Sequence, residues 1–143
     1  NKYQIISKID QLKNKKFKNF DIPIYFYHRL HLEKNLHLIY DQTNLISYGW
    51  SSVSKKFKIT EINCNLVNNN NNIVIFFDFH TIHNFRKKGL YKILLQLMQN
   101  NYKNIDCYIF TNLLNIKSFL GIIKSNFKIF KILTILSNKI SIN

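Results

Sequence analysis

Arg86, Lys87, Lys88 and Gly89 bring three cations and one of the chain's three glycines together in four residues. Positive charge beside a residue that lets a ligand come close to the backbone suits the holding of an anion. The flanking residues decide whether backbone groups can take part. Ile73 to Phe79 is an apolar run, β-branched and aromatic, that reads as a buried strand. Leu90, Ile93, Leu94, Leu97 and Met98 follow at the i, i+3, i+4, i+7, i+8 spacing of one face of an amphipathic helix. A strand that feeds a helix through a basic turn leaves the first-turn N–H groups without intrahelical acceptors, and the helix dipole favours negative charge there. The expected element is a phosphate cradle at this turn.

Arg86-Lys-Lys-Gly-Leu-Tyr91 lacks the repeated glycines of a dinucleotide fingerprint and the Gly-Lys-Ser/Thr ending of a nucleoside-triphosphate loop. It resembles the Arg/Gln-x-x-Gly-x-Gly/Ala signature of the GNAT acyltransferase superfamily, in the variant spelled Arg-Gly-Lys-Gly-Leu-Tyr. Downstream, Asn115-Ile-Lys-Ser118 followed by Lys124-Ser-Asn126-Phe127 is similar to that family's Asn-x-x-Ser/Ala and Lys-x-Gly-Phe segments. The two matches span residues from about Phe79 to Phe127.

The resemblance implies a fold and a cofactor. The fold is α+β: a mixed, mostly antiparallel sheet, splayed at a cofactor wedge and flanked by helices, in one domain over residues 1–143. The cofactor is acetyl-CoA. Its pantetheine arm would lie in the wedge where the central strand leaves the strand at Ile105 to Phe110, with the thioester beside the backbone of Phe79, His80 and Thr81. Its pyrophosphate would take the amides of Lys88 to Tyr91, with charge from Arg86 and Lys87. Asn115 and Ser118 stand at cofactor-contacting positions. The implied reaction is direct attack by the primary amine of a small molecule, an amino sugar or nucleotide-linked amino sugar among the candidates. It needs positioning and the removal of one proton.

Three positions depart from the family pattern. Tyr91 occupies a glycine-type position. Ile122 stands where many members carry a tyrosine that protonates the leaving thiolate, so a general acid is unassigned, with solvent or another tyrosine as alternatives. Asn126 replaces a glycine, and Asn is the next-best residue in a left-handed cap. For the general base, His80, His83, Glu61 and Asp78 are available. A neutral imidazole accepts a proton near pH 7, and His80 stands at the strand end where the thioester is expected, unless strand alternation turns it away. Glu61, expected on a strand crossing the same face, is the other leading candidate. Tyr25, Tyr27, Tyr48 and Trp50 could line the acceptor pocket or serve as core. His28, His31 and His37 have no acidic or thiol partner at ligand spacing, so no metal is expected.

The remaining elements must present these residues. Tyr3 to Leu12 has helical spacing, and Asp21-Ile-Pro23 breaks the chain. Ile24 to Leu32 fits either strand or short helix. Leu36 to Asp41 and Leu45 to Val53 form a hairpin around Asp41 to Asn44, with a bulge or close contact at Gly49. Lys58 to Val67 reads as one extended segment, and Asn68 to Asn72 as a turn into the central strand. Beyond the central helix come a strand at Ile105 to Phe110 and a helix capped by Asn112 or Asn115, burying Phe119, Leu120, Ile122 and Ile123. A strand at Lys128 to Leu136 and an edge at Lys139 to Ile142 follow.

Composition narrows the class. With 143 residues, 46% hydrophobic and 15% aromatic, the chain is globular rather than disordered. No apolar run is long enough to cross a bilayer. The sequence begins at Asn1 rather than Met and shows no signal-peptide pattern; the expected compartment, from its few and isolated cysteines, is the cytoplasm. Cys64 and Cys107 are too few for a disulfide scaffold and are expected to be reduced thiols. The net charge of +14 raises nucleic acid as a partner, but the lysines are scattered rather than gathered on one helix face. Alanine is absent and Asn, Lys and Ile abound, which reads as compositional drift. A basic nucleic-acid module and a CoA-binding domain without turnover remain the alternatives, and the oligomeric state is open between monomer and homodimer.

Overall fold

The computed structural model describes residues 1–132 and 139–142, with residues 61 and 139–142 described as backbone only. Five strands, β1 (Lys2–Ile6), β2 (Asn35–Tyr40), β3 (Leu45–Ser54), β6 (Ile73–Thr81) and β7 (Cys107–Ile109), form the main sheet in the order β1-β2-β3-β6-β7. Its pairings are antiparallel except for β6 with β7, which run parallel. A smaller sheet has β5 (Cys64–Asn68) between β4 (Lys56–Ile59) and β8 (Lys139–Ile142), with β8 parallel to β5. Among the described residues the helices are α1 (Ile9–Lys13), α2 (Ile24–His31), α3 (Leu90–Asn101) and α4 (Ile116–Ile123). None of the described helices is long and apolar enough to cross a membrane.

Strand alternation divides the core between the two faces of the main sheet. Leu36, Leu38, Tyr48 and Trp50 pack with Phe26 and Leu30 of α2 and Leu12 of α1. Ile39, Ile46, Val74 and Phe76 pack on the opposite face with Leu94, Leu95 and Met98 of α3 and Ile122 of α4. Ile73 and Ile75 turn to the first face, where Cys64 and Leu66 of the small sheet cover them. Each such large apolar side chain contributes roughly 1.5–3 kcal/mol when taken wholly out of water.

Several expectations are corrected. The helix expected over Tyr3 to Leu12 is β1 followed by a short α1, because pairing of Lys2–Ile6 with β2 overrides the local spacing. Ile24 to His31 is helical. Lys58 to Val67 is not one strand: β4 and β5 form a hairpin around a 3-10 turn at Thr60–Ile62 that closes on a left-handed Asn63. The buried face of α3 is rotated relative to the expected one. Leu94, Leu95 and Met98 are buried while Ile93 is 44% exposed, since Tyr91 and Tyr102 also turn inward. On α4 only Ile122 is buried; Leu120 and Ile123 are exposed. Residues 128–132 form no strand, and the rest of the stretch to Leu136 lies outside the described residues.

A polar chain crosses the sheet beneath the end of α3. His37 is buried, with the Tyr3 hydroxyl 2.7 Å from Nδ1 and Ser51 Oγ 2.7 Å from Nε2. Asn101 donates to the Tyr3 oxygen at 2.8 Å, leaving the tyrosine proton for Nδ1, so the ring fits the neutral tautomer with hydrogen on Nε2. Ser51 in turn bonds the Tyr102 hydroxyl at 2.8 Å. Asn101 and Tyr102, at the C-terminal end of α3, are thereby tied to β1, β2 and β3.

Candidate active site

The pairing of β6 with β7 covers three registers, Val74 with Cys107, Ile75 with Tyr108 and Phe76 with Ile109, and stops. Beyond Phe76 the strands part, and a cavity of about 520 Å³ occupies the opening. Phe79 and Tyr91, with Ser118 of α4 and its N-cap Asn115, are among the residues that line it. This volume lies within the range of small-molecule sites.

At the rim of the opening, β6 leads through a 3-10 turn at His83–Phe85 into the basic loop. Lys87 (φ 64°) and Gly89 (φ 70°) are both left-handed. The first α3 bond runs from the Ile93 N–H to the Gly89 carbonyl at 3.1 Å. The amides of Lys88, Gly89, Leu90 and Tyr91 donate to no acceptor among the described residues, and no side chain caps the helix. A Cβ at Gly89 would meet no protein atom within 4 Å, so space above the turn is open and glycine serves the left-handed backbone. Arg86 folds back to donate from Nε to the Thr81 carbonyl at 2.9 Å. Lys88 Nζ lies 5.5 Å from the centre of the Phe85 ring.

The central strand is not regular. Tyr48 pairs with His80 and Trp50 with Phe77, so Gly49 alone faces both Asp78 and Phe79. This bulge puts Asp78 at φ 49°, a conformation that Asp tolerates better than most residues. The extra residue exchanges the faces of everything after it. Phe79 turns towards α3, against Tyr91, and His80 turns towards α2, where its ring stacks on Tyr48 with centroids 5.6 Å apart. The question of which way His80 points is thus decided by the bulge.

Two glycines accommodate the rings of the wedge wall. A Cβ at Gly49 would stand 2.5 Å from the Phe79 ring, and one at Gly121 would stand 2.6 Å from the Tyr91 ring. Phe79 and Tyr91 meet edge to face at 5.3 Å. The bulk of Tyr91, unusual for its position in the motif, is therefore matched by Gly121 on α4. The Tyr91 hydroxyl lies 3.4 Å from Ser118 Oγ, and burial raises its pKa above the usual tyrosine value. Asn115 caps α4 by accepting from the Ser118 N–H at 3.2 Å. Asn126 is left-handed at φ 68°, as its glycine-type position requires.

On the α2 side, Arg29 forms an ion pair with Asp78. Its guanidinium also lies over Tyr25, 4.8 Å from the ring centre, and near Trp50 and Phe77. The Tyr25 and Tyr48 hydroxyls are 3.4 Å apart, and burial raises the Tyr48 pKa. Trp50 is fully buried behind this layer, with Nε1 unpaired, so it supports the pocket rather than lining it. Tyr27 packs partly buried against the same core. Glu61 sits in the 3-10 turn between β4 and β5 rather than on a strand, and its side chain lies outside the described residues. Ile122 is buried in the core under α3 and α4. Arg29 and Lys34, which line the cavity beside Asp78, were not singled out from sequence. One available signal was a charged Asp78 inside an otherwise apolar strand, opposite Gly49.

The sequence matches no protein-family model and no curated protein. Solved structures do match over nearly the whole chain. An aminoglycoside 6'-N-acetyltransferase of Acinetobacter haemolyticus is 13% identical with a TM-score of 0.62, covering 98% of this chain and 99% of that one. An aminoglycoside N-acetyltransferase in complex with CoA is 10% identical with a TM-score of 0.63, covering 93% and 96%. A predicted acetyltransferase of Clostridium acetobutylicum with acetyl-CoA is 13% identical with a TM-score of 0.55, covering 94% and 96%. With its splayed β6 and β7 and its helix-borne cradle, this chain has the fold of the GNAT acetyltransferases.

Proposed function

We propose that this protein is an acetyl-CoA-dependent N-acetyltransferase acting on a primary amine of a small molecule. The observation that carries the reading is the run of four unpaired amides, Lys88 to Tyr91, at the start of a twelve-residue helix beside the opening between β6 and β7. A diphosphate fits such donors and the dipole behind them. The unpaired edge of β6 beyond Phe76 offers backbone groups to an extended amide-bearing arm, and Asn115 retains its side-chain N–H₂ for the same purpose.

Bound acetyl-CoA would supply a thioester whose carbonyl carbon the amine attacks directly, forming the C–N bond as the C–S bond breaks. The chain's own part is to orient the two reactants and move protons. We assign His80 as the base that takes the ammonium proton, because the bulge turns it to the α2 side, where it stacks on Tyr48. Tyr91 is the hydroxyl that the wedge wall offers to the departing thiolate, with solvent as the alternative donor. The acceptor class we favour is an amino sugar, free or nucleotide-linked. That two of the solved neighbours are named as aminoglycoside acetyltransferases supports amino sugars.

Calorimetry and thermal melting with CoA and acetyl-CoA test the cofactor, and thiol release with amino-sugar acceptors tests the turnover. Saturable heat and a raised melting temperature are expected. Their absence removes the reading, whereas binding without thiol release from any amine leaves a CoA-binding domain that has lost turnover. Reversing charge at Arg86 and Lys88 together is expected to raise the Michaelis constant for acetyl-CoA, and an unchanged constant counts against the phosphate role.

A further inference from the structure

The cavity's acceptor side carries an unbalanced charge. Arg29, Lys34 and Lys58 line it, and Asp78 is the sole carboxylate among its described lining residues. Asp78 is already committed to Arg29. Lys34 is partly buried with its ammonium over the Phe77 ring, 5.4 Å from the centre, and no carboxylate lies in ion-pair range among the described residues. Burial and the neighbouring Arg29 both lower its pKa, as expected of a cation held without a counter-ion. Lys58 adds a third positive charge from β4.

These groups lie away from the amide cradle. Arg29 and Lys34 come from the α2 side of the sheet, whereas the cradle opens α3 on the other side. A phosphate seated on Lys88 to Tyr91 would leave them unmatched. Aminoglycosides are polycations and would set their own ammonium groups against all three side chains, a like-charge arrangement that disfavours binding.

We infer that the acceptor is an amine that also carries an anionic group, a carboxylate or a phosphate, bound by Lys34 with the Asp78-paired Arg29 beside it. The inference rests on the acyltransferase reading and narrows its acceptor. A guanidinium held among Tyr25, Trp50 and Phe77 and paired with Asp78 is positioned in advance, and its remaining N–H groups suit such an anion. Of the amino sugars, phosphorylated or nucleotide-linked ones fit; of simpler amines, amino acids do.

The test uses matched pairs: glucosamine 6-phosphate against glucosamine, and an amino acid against its amide, with kanamycin as the polycation. Calorimetric affinity is measured with and without CoA, and kcat/KM is measured with acetyl-CoA. The anionic member of at least one pair is expected to bind at least tenfold tighter, and the pair that responds identifies the anion as phosphate or carboxylate. In Lys34→Met the ratio falls towards one, while Lys2→Met, far from the cavity, keeps it. Equal affinity within both pairs, preference for kanamycin, or a ratio indifferent to Lys34→Met overturns the inference. Because acceptor affinity is also read without CoA, a protein that ignores CoA refutes the acyltransferase reading by a separate signal.

Discussion

The two ends of the wedge are built from different materials. At the cradle the donors are backbone amides fixed by a left-handed Gly89 and the start of α3. At the acceptor end the groups are side chains from α2, β3 and β6, held by an ion pair and by ring contacts. A backbone site survives the loss of any one side chain, because its donors belong to every residue alike. A side-chain site does not, since each group does a separate task. The cradle should therefore be robust to substitution and the acceptor end fragile.

The largest expected effect sharpens that contrast. His80→Gln should lower kcat by about 100- to 10,000-fold, the usual contribution of a positioned base, with little change in the acetyl-CoA Michaelis constant. A kcat within a factor of a few of wild type would transfer the proton to Glu61 or solvent and make the acceptor end less fragile than proposed.

Next comes the support of the cradle. Burial between Tyr3 and Ser51 depresses the His37 pKa to about 3. A base whose folded pKa lies below its unfolded value stabilises the fold fully above pH 6.5 and loses that contribution as pH falls towards 3. By pH 4.5 the loss amounts to about 2–3 kcal/mol. His37→Gln should flatten the stability–pH curve between pH 6.5 and 3; parallel curves for the two proteins would show that His37 does not govern the acid limb.

Gly49→Ala should cost roughly 1–3 kcal/mol by overpacking against Phe79 and raise the acetyl-CoA Michaelis constant as the ring is displaced. Chemical denaturation and steady-state kinetics measure the two effects. A stable variant with unaltered cofactor affinity would detach the wedge wall from the cofactor. The smallest effect is expected at the cradle itself. Arg86→Gln should raise that constant only about two- to fivefold, and less in high salt, since an exposed charge is screened and the amides remain. Abolished binding would mean that side chains, not backbone, hold the diphosphate.

The same division explains what could be read in advance. The cradle is local: an apolar run, a basic turn with one glycine and a periodic helix are adjacent in sequence. The hairpin around Asp41 to Asn44, the Asn115 cap and the left-handed Asn126 were legible for the same reason. The acceptor end is not local. Arg29 and Asp78 are 49 positions apart, and neither is exceptional in its own segment. The bulge that directs His80 depends on Gly49 in a neighbouring strand, so alternation alone could not give its face. The first strand was hidden because Ile5, Ile6, Ile9 and Leu12 satisfy a helix as well as a strand edge. Pairing with β2 settled the matter.

The glycines carry a consequence for how such a chain can change. Only three occur in 143 residues. Gly49 and Gly121 lie against Phe79 and Tyr91, and Gly89 forms the turn at the foot of α3. A sequence so depleted in small residues has few other places where backbone and ring could meet closely. In a saturation library scored for growth or acetylation, Gly49 and Gly121 should rank with His80 among the least permissive positions, while the Asn and Lys tracts elsewhere exchange freely.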